Sequence, residues 1–219
     1  MIQAVIFDMD GLLIDSEPLW RKAEIRIFAQ HDVFLTDNDC RSTTGLRVDE
    51  VVSFWMNQFN KMHLDAISLI KEINQGVIDL VNAEGEALPG VFEIMRFFRQ
   101  KQIPMALASS SSQRIIDAVA KKLKLTDYLT HLISAEKLPY GKPHPEVFLE
   151  TAKHLKISPL NCLVFEDSVF GVIAAKSARM KAIAVPESQN FQKPEFAIAD
   201  KKLNSLTQFD EAIFFELNS

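Results

Sequence analysis

Cysteine is nearly absent from this 219-residue chain: Cys40 and Cys162 are far apart and form no Cys-x-x-Cys pair. That excludes a disulfide scaffold and favours a reducing compartment. Glycine and proline are sparse, 7 and 9 residues, which excludes collagen-like and low-complexity chains. There is no excess of basic charge: 24 Lys and Arg stand against 29 Asp and Glu, a net charge of -5. A dedicated nucleic-acid binder carries a basic stripe instead. The pairs Lys121-Lys122 and Lys201-Lys202 read as solvated surface. No apolar run approaches the ~20 residues of a membrane span. No basic segment precedes the short run Ala4–Phe7, as a secretion signal would require. These absences predict a cytoplasmic protein with neither a nucleic-acid nor a membrane partner. What is present is 47% hydrophobic residues, enough to bury a core without staples.

Ala4–Phe7 is a continuous apolar run that stops at Asp8-Met9-Asp10-Gly11, the pattern of a buried parallel strand. Similar runs recur at Pro104–Ala108, Leu132–Ala135, Leu163–Phe165 and Ala182–Val185. Helical periodicity separates them: Val91, Met95 and Phe98, then Ile115, Val119 and Leu123, then segments 146–155 and 169–178. A last helix is expected near 208–217. Alternating strands and helices predict an α/β fold, a Rossmann-like parallel sheet covered on both faces. From Glu17 to Asn82 no strand pattern occurs. Glu17–Gln30 reads as a helix. Val48, Val51, Val52, Trp55, Met56 and Phe59 make one amphipathic stripe, and Ile67, Ile70, Ile73, Val77, Leu80 and Val81 another. The expected organisation is a core of residues 1–15 and 83–219, with a small all-helical domain, 16–82, inserted after the first strand. Asn82–Pro89 is the expected return linker.

Ligands of open parallel sheets bind beyond the carboxyl ends of the strands. Asp8 and Asp10 follow the first strand, Ser109 and Ser110 the second, and Glu166 and Asp167 the fourth; Lys142 lies in the loop after the third. Each signal alone has a plain reading as a turn, an N-cap or an exposed loop. Together they place several carboxylates, a lysine and hydroxyls in one crevice. Gathered carboxylates need a counter-charge. Mg²⁺ fits, since it takes oxygen ligands and keeps several waters; Asp8, the Asp10 carbonyl and Asp167 could supply them. A cation, a lysine and hydroxyl donors describe a phosphate site. Within it Asp8 can attack phosphorus and form an aspartyl-phosphate, while Asp10 serves as acid and then base. Glu166 would orient Lys142 or a metal-bound water.

At these residues the chain resembles the haloacid dehalogenase (HAD) superfamily of phosphohydrolases. The motifs are Asp8–Glu17, Ala106–Ser109, Lys142–Pro145 and Phe165–Ser168 with Gly171, and the resemblance spans essentially the whole chain. It implies Asp8 as nucleophile, Asp10 as general acid and base, Ser109 and Lys142 as phosphate binders, and Asp167 as metal ligand with Asp8 and Asp10. It also implies that the helical insertion is a cap that closes over the site. Asp15–Trp20, Gly45-Leu46-Arg47, Ser134–Tyr140 and Lys142–Pro145 resemble the β-phosphoglucomutase-like branch. That branch implies a monomeric, Mg²⁺-dependent phosphatase of sugar or polyol phosphates, such as 2-deoxyglucose 6-phosphate or hexitol phosphates.

The alternative is a β-phosphoglucomutase-type isomerase; mutases carry a cap histidine where this chain has Trp20. Asp10 and Asp167 speak against dehalogenation. A receiver-like phospho-acceptor protein would be shorter and lack the insertion. Thr43–Arg47 is the expected specificity loop, with Gly45 allowing close approach to substrate. Arg47 would bind sugar hydroxyls or phosphate, or else start a helix at the surface. Trp20 lines the sugar pocket or packs at the hinge. Trp55 is expected in the core, and His31, His63, His131 and His154 have no ligand spacing. His144 would support the phosphate loop.

Overall fold

Six strands, β1 (Ala4–Phe7), β2 (Met105–Ser109), β3 (Leu129–Ser134), β4 (Cys162–Glu166), β5 (Lys181–Ala184) and β6 (Lys201–Lys202), form one sheet in the computed structural model. All neighbours pair in parallel, in the order β3-β2-β1-β4-β5-β6. The structure describes residues 1–218. Between β1 and β2 run α1 (Glu17–Ala29), α2 (Asp37–Arg41), α3 (Val48–Gln58), α4 (Ala66–Glu84) and α5 (Val91–Gln100). Then α6 (Gln113–Lys122) joins β2 to β3, α7 (Glu146–Leu155) joins β3 to β4, α8 (Val169–Ser177) joins β4 to β5, and α9 (Glu211–Asn218) closes the described chain.

Strand side chains alternate between faces, and here the alternation sorts them by size. Val5, Phe7, Leu107, Leu163, Phe165 and Ile183 belong to one core, with Val91 and Phe98 of α5 and Ile115 and Val119 of α6. Ala4, Ile6, Ala108, Cys162, Val164, Ala182 and Ala184 belong to the other, with Phe148 of α7 and Val172, Ala174 and Ala175 of α8. The small residues of the second face allow α7 and α8 to approach the sheet closely. The first face is held by aromatic contacts: Phe7 and Phe165 stack at 5.1 Å, and Phe98 meets Phe7 at 6.3 Å, Phe165 at 6.0 Å and Phe209 at 5.3 Å.

Helices α1 to α4 pack mainly on one another, α4 against both α1 and α3. Local chemistry sets their starts. Pro18 occupies the first turn of α1, Thr36 and Asp39 form a reciprocal capping box for α2, and the Asp65 carboxylate accepts from Ile67 N–H to start α4. The group meets the rest of the chain partly through α4 and α6. There Arg114 donates to Gln75 Oε1 at 2.8 Å and Lys122 to the Asn82 carbonyl at 2.6 Å. No helix among the described residues is long and apolar enough to cross a membrane.

Several elements differ from their sequence expectations. β3 begins at Leu129 and ends at Ser134, so Ala135 lies beyond it. Its first half carries Thr130 and His131 at a half-exposed edge, which hides it from a search for continuous apolar runs. Lys201-Lys202 is not plain surface but the edge strand β6, its two lysines bonded to Glu216 and to the Phe191 carbonyl. Charge on an edge strand discourages pairing with another chain. The expected linker from Asn82 is still helix through Glu84. In α4, Ile67 is exposed and Leu69 is buried in its place. α2 had no periodic signal because five residues are too few to show one. The last helix starts at Glu211, later than expected.

Phe98 is fully buried and touches four other aromatic rings besides its neighbour Phe97. Phe98→Ala is expected to lower unfolding stability by about 3–5 kcal/mol, the usual cost of a large-to-small core change. Urea denaturation measures it; a loss below about 1 kcal/mol would mean that the cluster does not carry this face.

Candidate active site

The register of β1 fixes the centre of the site. Phe7 pairs with Leu107 of β2 and with Phe165 of β4, so Asp8, Ala108 and Glu166 follow at one level. This is the point where strand order reverses direction along the sheet, and the crevice opens there. Lys142 reaches in from the loop after β3. Its Nζ lies 2.5 Å from Asp8 Oδ1 and 2.5 Å from Glu166 Oε1, and 5.0 Å from the centre of the Phe148 ring. Glu166 is wholly buried and its second oxygen accepts from Ser168 N–H at 2.9 Å and Ser168 Oγ at 3.0 Å. It therefore bonds both Lys142 and the start of α8. Gly171 makes room for it: a Cβ there would stand 1.7 Å from Glu166 Oε1.

Charge is unevenly distributed in this crevice. Burial opposes the Lys142 ammonium, but Asp8 and Glu166 outweigh it and hold it well above the ordinary lysine range. Burial pushes Asp8 up to about 8; Lys142 pulls it down, while Glu166 and Asp10 push with burial. Burial, Glu166 and Asp8 likewise hold Asp167 well above the usual carboxylate range. One lysine thus faces more carboxylates than it can neutralise.

Asp8, Glu166 and Asp167 each offer an oxygen, all within 4.8 Å of one another. Since Lys142 and Ser168 take both Glu166 oxygens, Asp8 and Asp167 are the pair left to face a hard divalent cation, and the set fits one. Gly11, at φ +71°, lies directly under Asp167; a Cβ there would be 2.3 Å from Asp167 Oδ2.

Asp10 is held from two directions. Its Oδ1 accepts from Ser16 Oγ at 2.6 Å and Trp20 Nε1 at 3.1 Å, at the start of α1. Its Oδ2 accepts from Ser109 Oγ at 3.2 Å, the last residue of β2, and from Ser111 Oγ at 2.7 Å, just past it. Ser111 N–H also donates to Ser109 Oγ at 3.0 Å.

The structure brings Asp8, Asp10, Ser109, Ser110, Lys142, Glu166, Asp167 and Gly45 to one crevice. It does not bring Arg47 there. The Arg47 guanidinium is paired with Asp49, Nε to Oδ1 at 2.9 Å and Nη2 to Oδ2 at 2.5 Å, and donates to the Leu138 carbonyl at 3.1 Å. It lies across Gly141, beside the loop that carries Lys142. His144 also turns outward, its ring 4.8 Å from Tyr140 and about half exposed. Trp20 lines the crevice, and Trp55 is buried as expected for core. Sequence reasoning missed Ser16 and Ser111 as Asp10 partners, and missed Glu17, Arg21 and Glu24 on the crevice wall. The signal for the last three was their spacing, i, i+4, i+7, which reads as a solvated helix face when burial is unknown.

Comparison with known proteins gives a consistent result. The family description "haloacid dehalogenase-like hydrolase" matches residues 2–179. Hexitol phosphatase B of Escherichia coli is 42% identical over 208 residues, 94% of each chain. A phosphorylated carbohydrates phosphatase of Thermotoga maritima is 33% identical, covering 83% of this chain and 84% of its own. Among solved structures, a β-phosphoglucomutase from Clostridium difficile superposes with TM-score 0.86 at 25% identity, covering 99% of this chain and 96% of that one.

The carboxylate excess makes a pH prediction. The folded-state value of Asp8 is raised from 3.8 to about 8, and Asp167 moves the same way. Their contribution to stability is complete below the unfolded value and is lost as pH rises through the folded one. Metal-free protein should therefore lose melting temperature between about pH 4 and 8. Mg²⁺ binding to the ionised pair would offset that loss, so millimolar Mg²⁺ should raise Tm more at pH 8 than at pH 5. Melting curves with Mg²⁺ and with chelator check this; equal shifts at both pH values would contradict it.

Proposed function

Because the chain belongs to the haloacid dehalogenase-like hydrolase family, we propose that it hydrolyses phosphate monoesters of small sugars or polyols. The observation that carries this reading is the pair of carboxylates on β1's extension. Asp8 is tied to Lys142, while Asp10 is held two residues on by four donors. The printed names of its relatives, hexitol phosphatase and phosphorylated carbohydrates phosphatase, support the substrate class.

In the proposed reaction an Asp8 oxygen attacks phosphorus and the ester P–O bond breaks. Asp10 gives its proton to the departing sugar oxygen. Asp10 then takes a proton from water as the water attacks the aspartyl-phosphate, which returns Asp8 and frees phosphate. Lys142, fixed by Glu166, sets its charge against the phosphoryl oxygens; Ser110 donates to them, as does Ser109 once its hydroxyl turns from Asp10 to the phosphate. Asp8, the Asp10 carbonyl and Asp167 would hold Mg²⁺, which supplies further positive charge to the transferring group. Residues 16–82 act as a cap over a core of residues 1–15 and 83–219, with Gly45 near the substrate. Arg47, engaged by Asp49 and Leu138, ties cap to core in this arrangement rather than touching substrate.

A mutase reading draws on the fold of the β-phosphoglucomutase neighbour. The indole at position 20 favours hydrolysis: Trp20 Nε1 can only donate to Asp10 and cannot exchange a proton with it.

Phosphate release with Mg²⁺ across hexose, pentose, polyol and nucleotide monophosphates is the direct test. Strong turnover confined to sugar or polyol esters is expected. Asp8→Asn should remove at least about 10³-fold of kcat, since nothing else can accept the phosphoryl group. Asp10→Asn should remove about 10²–10⁴-fold. Retained turnover in Asp8→Asn defeats the mechanism. Feeble release across the panel, with glucose 6-phosphate formed from β-glucose 1-phosphate and a bisphosphate primer, would establish the mutase instead.

A further inference from the structure

Glu24 lies on the crevice wall formed by α1, 6% exposed. Helix faces that point inward usually carry aliphatic side chains, and carboxylates are rarely buried without partners. The Cys40 thiol and the Arg21 guanidinium lie near its side chain and favour the charged form, while Glu17 opposes it. Its Oε2 is buried and has no hydrogen-bond partner among the described residues. Burial pushes this carboxyl up to about 7, against Cys40, which draws it down. An acceptor kept dry and unpaired lowers stability, so it is the sort of group a ligand hydroxyl would complete.

Its position defines which hydroxyl. Trp20 contacts Asp10, and Glu24 sits one turn further along the same helix, about 6 Å from it. Glu24 thus lies beyond the acid that protonates the leaving group, away from the phosphate. On the same face stand Glu17, which accepts from Thr44 Oγ1 at 3.1 Å, and Arg21, paired with Asp37 at 2.7 Å. Both line the crevice. Their partners are already present, whereas Glu24 Oε2 has none.

We propose that Glu24 is a specificity-determining residue that accepts a hydrogen bond from a hydroxyl remote from the phosphate, selecting polyhydroxylated leaving groups long enough to reach it. This deepens the reading of the chain as a sugar or polyol phosphatase and rests on it. A leaving group without that hydroxyl leaves Glu24 buried and unpaired, which is how a polar site rejects shorter or apolar analogues.

The test compares kcat/KM for a hexitol 6-phosphate with that for glycerol 3-phosphate and for p-nitrophenyl phosphate. Wild type, Glu24→Gln and Glu24→Leu are measured with Mg²⁺. The wild type should prefer the six-carbon ester, and Glu24→Leu should reduce that preference about 10–100-fold, the scale of one hydrogen bond to a charged group. Glu24→Gln, which keeps an acceptor, should retain more of it. At pH 8 Glu24→Leu should melt at or above the wild-type temperature, since the buried charge is gone; a purely structural carboxylate would melt lower. An unchanged preference ratio, or an equal loss on all three esters, overturns the proposal while the phosphatase reading stands. A wild type that releases no phosphate from any sugar or polyol ester overturns both.

Discussion

The ion pairs of Lys142 with Asp8 and Glu166, each at 2.5 Å and nearly excluded from water, are what the rest of the site depends on. Removing one partner from such a buried set leaves a charge without compensation, which costs several kcal/mol in other proteins. The fold is arranged to keep all three in place. Two central strands deliver Asp8 and Glu166 at one level, the loop after β3 brings Lys142 across, and Gly171 leaves the space that Glu166 fills. The Ser168 hydroxyl serves twice, donating to Glu166 and accepting from Gly171 N–H to start α8. A packing choice at one helix start therefore decides where the Lys142 ammonium stands between β1 and β4.

Much of this was legible in the sequence, for a physical reason. Buried parallel strands must be continuously apolar, so the residue that ends each run is conspicuous when it is charged. Asp8 after Ala4–Phe7 and Glu166-Asp167 after Leu163–Phe165 stood out in that way. Lys142 was legible only by its place in the order, since a Gly-Lys-Pro loop is ordinarily exposed and this lysine is 8% exposed. What stayed hidden has the opposite character. Glu17, Arg21 and Glu24 look like a wet helix face until the crevice is seen to lie against them. Arg47 looked like a substrate ligand because no sequence pattern shows that Asp49, two residues away, takes its guanidinium. β3 was blurred because an edge strand mixes polar and apolar residues, and β6 was missed because it is only two lysines.

Helix α1 has two duties that a propensity argument would assign to different elements. Leu19, Ala23, Ile27 and Phe28 pack into the core, while Trp20 and Glu24 face the crevice. Its position is set by packing against α4, so the polar residues inherit a rigid placement from apolar ones.

The four donors around Asp10 divide evenly between two parts of the chain: Ser16 and Trp20 at the start of α1, and Ser109 and Ser111 at the end of β2 and just past it. Any motion that carried α1 away from the sheet would strip one carboxylate oxygen of both its contacts and leave the other held. Asp10 would then be held from the β2 side alone. Under the proposed reaction, activity toward esters would then depend on where α1 sits, and a chain with α1 displaced would be idle.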